Sequence, residues 1–168
     1  MPVGQPGRLG FRAPDDRGIS YHGDPEKTAA AYLAPGVFTL GDIGFVDAEG
    51  FVHVTDRESD MVVSGGVNLY PSEAESVLLE HPEVADIAVV GIPEPDMGEQ
   101  LLALVVPRDP QDPPAPEELE RFCRVGLAAY KVPRRYQFVA ELPRNEMQKV
   151  DKRGLRRPYW DSDRTIAG

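Results

Sequence analysis

Two nearly uninterrupted apolar runs, residues 87–92 and 101–106, constrain this chain most strongly. Runs of this length, bounded by Pro and Asp, are too short for buried helices and read as neighbouring strands covered by helices. A Pro- and Asp-containing loop joins them, and the Pro-rich stretch 109–116 closes the second. Before the pair, Ala74, Val77, Leu78 and His81 repeat at helical spacing, with Pro82 as the stop. Ser72 and Glu75 stand at the spacing of a capping box at that helix's start. After the pair, Leu119, Phe122, Cys123, Leu127 and Tyr130 fall on one helical face, and residues 137–139 read as a further short strand. The expectation for residues 61–156 is an α+β module, a small mixed sheet with helices.

Upstream the pattern changes. The first 35 residues are rich in Gly, Pro and Asp and offer one helical stretch, 25–33. Residues 43–55 alternate around Asp47-Ala48-Glu49-Gly50, which predicts a hairpin with a type I turn closed by a left-handed glycine. Met61-Val62-Val63 reads as a strand entering a Ser64-Gly65-Gly66 turn, expected to lead into the following helix.

Composition narrows the function classes. A net charge of −10 argues against general nucleic-acid binding, which draws its affinity from basic surface. The charge is unevenly spread: residues 131–157 carry nine basic side chains against three acidic ones. Such a segment suits the phosphates of a small ligand or simply a solvated face. No run reaches the ~18 apolar residues of a membrane helix and no signal-peptide pattern opens the chain, so the default expectation is the cytoplasm. The single cysteine, Cys123, reads as core packing. With His22, His53 and His81 it has no zinc-ligand spacing, and no metal site is expected.

Several motifs occur in order: Tyr21-His22-Gly23-Asp24-Pro25-Glu26-Lys27-Thr28, Phe38-Thr39-Leu40-Gly41-Asp42-Ile43-Gly44-Phe45, Thr55-Asp56-Arg57-Glu58-Ser59-Asp60 and Ser64-Gly65-Gly66-Val67-Asn68-Leu69-Tyr70-Pro71. His81-Pro82-Glu83-Val84, Tyr130-Lys131-Val132-Pro133 and Leu142-Pro143-Arg144-Asn145 with Lys149 complete the series. Together, over most of the chain from Gly4 to about Arg156, they resemble the acyl-CoA synthetase branch of the adenylate-forming (AMP-binding) enzymes.

That resemblance implies a ligase in which a carboxylate attacks ATP to give an acyl-adenylate, and coenzyme A thiol then displaces AMP. It implies a small C-terminal lid rotating against a large N-terminal domain. On this map residues 1–57 are the β-rich end of the large domain, 58–156 the lid and 157–168 a tail. Asp42 takes the place of the ribose-binding aspartate, where a carboxylate accepts from both hydroxyls. Arg57 matches the arginine near the ribose, with a salt bridge to Asp56 or Asp60 as its plain reading. Ser59 stands at the hinge, where relatives usually carry Asp or Lys. Ser64, Gly65 and Gly66 match the loop lining the pantetheine tunnel. Lys149 matches the lysine of adenylate formation, an ammonium able to bridge the substrate carboxylate and the α-phosphate. Gln148 replaces the glycine that usually precedes it, a position suited to a left-handed backbone.

Within these 168 residues no Gly/Ser/Thr-rich phosphate loop, aromatic-Thr-Glu element or acyl pocket is recognisable. The chain is therefore expected to be inactive alone and to depend on an N-terminal adenylation domain, which would also hold any Mg through ATP. The alternative is a non-catalytic relic or interaction module that binds a partner or coenzyme A. Phe38-Thr39-Leu40-Gly41-Asp42, with Leu where many relatives have Thr, resembles bacterial fatty-acyl ligases.

Overall fold

The computed structural model describes residues 3–14 and 17–160, and the chain divides into two compact units, Met1–Ser59 and Asp60–Gly168. In the first unit β1 (Gly7–Arg8) pairs antiparallel with β5 (Asp42–Val46), which pairs with β6 (Val52–Arg57). A second small sheet has β4 (Val37–Phe38) between β2 (Phe11–Arg12) and β3 (Tyr32–Ala34). Phe38 packs beside Phe11 and Tyr32 with ring centroids 6.0 and 6.3 Å apart. Helix α1 spans only Pro25–Ala30, capped by Asp24, whose carboxylate accepts from the Lys27 amide. The helix expected to reach residue 33 is cut short because Tyr32–Ala34 pairs with β4 instead.

The β5–β6 hairpin has the expected turn. Asp47 Oδ1 accepts from the amides of Glu49 and Phe51, and Gly50 closes the turn at φ +90°. Asp47 Oδ2 lies 2.6 Å from His53 Nε2, a bond that holds the Asp47 carboxyl below the usual carboxylate range.

In the second unit β7 (Val62–Ser64) and β8 (Val67–Leu69) form a hairpin, followed by α2 (Pro71–Leu79). The long strands β9 (Val84–Glu94) and β10 (Gly98–Pro107) pair antiparallel. Then come α3 (Pro116–Gly126), β11 (Arg135–Phe138), which runs parallel to β10, and α4 (Lys152–Arg156). The sheet order is β11-β10-β7-β8, with β9 on β10.

Alternation along β9 and β10 feeds two cores, which is why both runs are apolar throughout. Val89, Leu101, Ala103 and Val105 meet Ala74 and Leu78 of α2 and Leu119 and Cys123 of α3. Ala88, Val90, Ile92, Leu102 and Leu104 meet Leu142, with Val150, Leu155 and Tyr159 against them. Cys123 is buried, which pushes its thiol pKa up, as a packing role requires. The fold is α+β.

Three local expectations need correction. Pro71 occupies the first turn of α2, so the N-cap is Tyr70 and no side-chain cap bond forms. Glu75 reaches away instead, accepting from the Val89 amide at 2.7 Å and pairing with Lys152. Helix α3 ends at Gly126, with Leu127 already extended, so Tyr130 leaves the helical face and is exposed. The Ser64-Gly65-Gly66 turn joins two strands rather than a strand and a helix.

Candidate functional site

The sequence-predicted residues form one pair in the first unit and two turns in the second. Asp42 opens β5 and Arg57 ends β6, and the hairpin register sets them opposite each other. A register shift between Ile43 and Gly44 produces this match. Arg57 Nε stands 3.7 Å from Asp42 Oδ1, an ion pair across the hairpin. Asp56 is engaged through its Oδ1, which accepts from the Arg57 amide. The 3.7 Å separation exceeds a hydrogen bond and leaves the Asp42 carboxylate with acceptor capacity. The neighbouring chain is fixed by the Glu58 amide donating to the Gly41 carbonyl at 2.8 Å and by an Arg8–Glu58 ion pair. Ser59 lies in the 3-10 turn Glu58–Asp60, where the first unit ends.

Gly65 and Gly66 are the two central residues of the β7–β8 turn, with φ of +57° and +80°. Left-handed backbone at both positions is the tight hairpin geometry in which side chains are strained. The Gly65 amide donates to the Met97 carbonyl at 2.8 Å, and a Cβ on Gly65 would fall 2.5 Å from Met97 Cε. A Cβ on Gly66 would meet nothing within 4 Å, so that side of the turn is open. Bare backbone with open space before it suits the close approach of a thin ligand.

Lys149 is exposed on a turn closed by the Arg144–Val150 bridge. Asn145 organises this turn: its Oδ1 accepts from the amides of Met147 and Lys149, and its own amide donates to the Lys149 carbonyl. Gln148 stands at φ +62°, the left-handed position anticipated from the usual glycine, and no other non-glycine residue has positive φ among the described residues.

The two turns are tied to opposite ends of the β9–β10 hairpin. Arg144 at the foot of the Lys149 turn pairs with Asp86 at 2.5 Å, whereas Ser64 pairs with Gly98, which faces Glu94. At ~3.3 Å per residue, β9 advances roughly 26 Å between Asp86 and Glu94. A lysine side chain spans a fraction of that length, so the strand holds the anchors of the two turns further apart than one lysine can reach.

Sequence reasoning missed His81, Glu83 and Glu118, whose potential ligand atoms lie within 4.8 Å of one another. His81 is buried against Phe122, and its Nδ1 accepts from the Glu83 amide at 3.3 Å. Its Nε2 faces Glu118 Oε1 at 3.9 Å. The spacing of His81-Pro82-Glu83 could have flagged two of the three residues, but Glu118 is remote in sequence. No helix among the described residues is long and apolar enough to cross a membrane.

Residues 73–149 match the AMP-binding enzyme C-terminal domain family. A fatty acid–[acyl-carrier-protein] ligase of Streptomyces coeruleorubidus, ScoC, is 40% identical over 99% of this chain and 32% of its own length. A 2-succinylbenzoate–CoA ligase of Geobacillus kaustophilus is 46% identical over 84% of this chain and 29% of its own. Among solved structures, the o-succinylbenzoate CoA synthetase of Bacillus subtilis in complex with its acyl-adenylate intermediate superposes with a TM-score of 0.82. It is 34% identical and covers 92% of this chain, which covers 31% of it. ATP-bound MatB from Rhodopseudomonas palustris gives 0.83 at 37% identity, covering 95% of this chain and 31% of its own. The chain thus spans about a third of the length of these relatives. It belongs to the adenylate-forming (AMP-binding) enzyme superfamily and carries the C-terminal portion of such an enzyme.

Proposed function

We propose that this chain is the lid and hinge of an ATP-dependent acid–thiol ligase that makes an acyl-CoA through an acyl-adenylate, with a fatty acid or another carboxylic acid as substrate. The observation that carries the reading is the placement of the Lys149 turn and the Gly65-Gly66 turn at opposite ends of one hairpin. Two reactions in one site need two different groups delivered in turn, and a rotating lid with a working turn at each end does this. Ser59, within the turn where the first unit ends, is the hinge of that rotation.

In the first step a carboxylate oxygen bonds to the α-phosphorus of ATP and pyrophosphate leaves. The Lys149 ammonium offsets the charge that builds between carboxylate and phosphate. Asp42 accepts from the ribose hydroxyls, and Arg57 flanks it on the neighbouring strand. In the second step a thiol sulfur bonds to the acyl carbon, its proton passes to solvent and AMP leaves. The open backbone of Gly65 and Gly66 lets the thiol's thin arm pass. Triphosphate and acid are gripped by an N-terminal adenylation domain, so the 168 residues alone are inactive.

Pyrophosphate release tests the reading, with ATP and a panel of acids, for the chain alone and joined to a related N-terminal domain. Acid-dependent release is expected only in the joined protein. Release by the chain alone overturns the division of labour. Silence in both arms favours a non-catalytic module that binds a partner or coenzyme A.

A further inference from the structure

The left-handed backbone at Gln148 is a strained conformation for a residue with a β-carbon, and such strain persists only where the surroundings over-determine it. The bonds made by Asn145 shape the turn but belong to it and would move with it. Arg144 is different, because it ties the turn to the sheet. Its Nη1 donates to the Gln148 carbonyl at 2.8 Å and its Nη2 to Asp86 Oδ2 at 2.5 Å. Asp86 is itself fixed in β9, its Oδ1 accepting from the Ile87 amide at 2.9 Å. The other foot of the turn is held by Lys152, whose ammonium lies 2.7 Å from Glu75 Oε1, the oxygen that accepts from the Val89 amide.

The contact with Gln148 falls on the peptide immediately before Lys149. Arg144 fixes that peptide's oxygen, and Asn145 Oδ1 takes its N–H at 3.0 Å. With both ends of that planar group held, and the Lys149 carbonyl held in turn by the Asn145 amide at 2.8 Å, the backbone on both sides of the Lys149 Cα is fixed and so is the direction in which its side chain leaves. We propose that Arg144, anchored by Asp86, is a positioning residue that holds the Lys149 turn in its left-handed conformation and so aims the lysine. The functional side of this inference rests on the role given above to Lys149; the structural side does not.

The test separates the two. In the 168-residue chain, amide hydrogen exchange is followed by NMR for the parent, Arg144→Ala, Asp86→Asn, Gln148→Gly and the Arg144→Ala/Gln148→Gly double variant. Arg144→Ala is expected to speed exchange of the Lys149 amide about tenfold, equivalent to ~1.4 kcal/mol, while the Ala103 and Val105 amides of β10 stay protected. Asp86→Asn, which leaves the guanidinium in place but unanchored, is to give the same local effect. In the Gln148→Gly background the loss of Arg144 is to matter no more than about two- to threefold, because no strained residue remains to be held. Equal effects in both backgrounds, or a rise spread over β10, overturn the proposal. In the joined ligase, Arg144→Ala is to slow adenylate formation about tenfold and leave thioester formation from preformed adenylate unchanged. Equal slowing of both steps refutes the aiming role. If Lys149→Ala leaves adenylation intact, the reading of Lys149 and the aiming role fall, while the exchange result still decides the clamp.

Discussion

Replacing Gln148 by glycine puts a number on the strain in the Lys149 turn. At φ +62° an L-residue gives up ~1–2 kcal/mol relative to right-handed backbone, and glycine recovers that. Glycine is also freer in the unfolded chain, which takes back ~0.5–1 kcal/mol. Gln148 is exposed, so little packing is lost with its side chain. The net expectation is a gain of about 0.5–1 kcal/mol, or roughly 2–6 °C in the melting temperature of the unit formed by residues 60–168. Scanning calorimetry of the parent, Gln148→Gly and Gln148→Ala reads it directly. Alanine keeps the β-carbon and is to show no rise. A melting temperature that stays put or falls with glycine, or rises equally with alanine, would refute the strain argument.

Three further outcomes follow from other parts of the fold. Gly66→Ala is to cost ~1–2 kcal/mol from backbone strain alone, and Gly65→Ala about 1 kcal/mol more because Met97 must move; urea midpoints in the opposite order contradict this. The His53 hydrogen bond lowers the Asp47 carboxyl below its ordinary value of 3.8, so the stabilisation it gives the hairpin is present above that pH and lost as pH falls through the lower folded value. Hairpin amide protection is to fall over that acid range and to fall less in His53→Ala; an identical profile in the variant counts against the bond. Burial raises the Glu99 carboxyl above its ordinary 4.5 despite the nearby Arg156 charge, and its Oε2 is buried with no hydrogen-bond partner among the described residues. Its stabilisation is complete below that pH and is lost as pH rises through the higher folded value. Glu99→Gln is to flatten this decline, and an unchanged pH slope would dismiss it.

Much of the second unit could be read from local pattern, because its two apolar strands, α2 and α3 each announce themselves by period and by Pro or Gly at their ends. The failures are places where a distant partner or a neighbouring proline decides. Pro71 suits the first turn of a helix, and that one residue displaces the expected Ser72 cap to Tyr70. The freed Glu75 then finds Val89 and Lys152 far along the chain. Strand β8 went unread even though Gly65-Gly66 between Val63-Ser64 and Val67-Asn68 is a hairpin signal. For the candidate site, the motifs single out Asp42, Arg57 and Lys149 as candidates, but not the register shift that sets Asp42 opposite Arg57. An unbroken hairpin register would have placed Asp42 against Asp56. The Asp86–Arg144 pair joins residues 58 apart, and only the folded sheet brings them together.

The central claim is that one lid serves two steps with different ends, and it is tested most directly by separating those steps in a ligase formed from this chain and a related N-terminal domain. With Lys149→Ala, adenylate formation followed by single-turnover pyrophosphate release is to fall about 10²–10³-fold, the usual cost of removing one charge-stabilising donor. Thioester formation from preformed adenylate is to remain within about twofold of the parent, because the anchor of the Lys149 turn lies roughly 26 Å along β9 from that of the Gly65-Gly66 turn, to which the thiol is assigned in the proposed reading. Equal losses in both half-reactions would contradict the account.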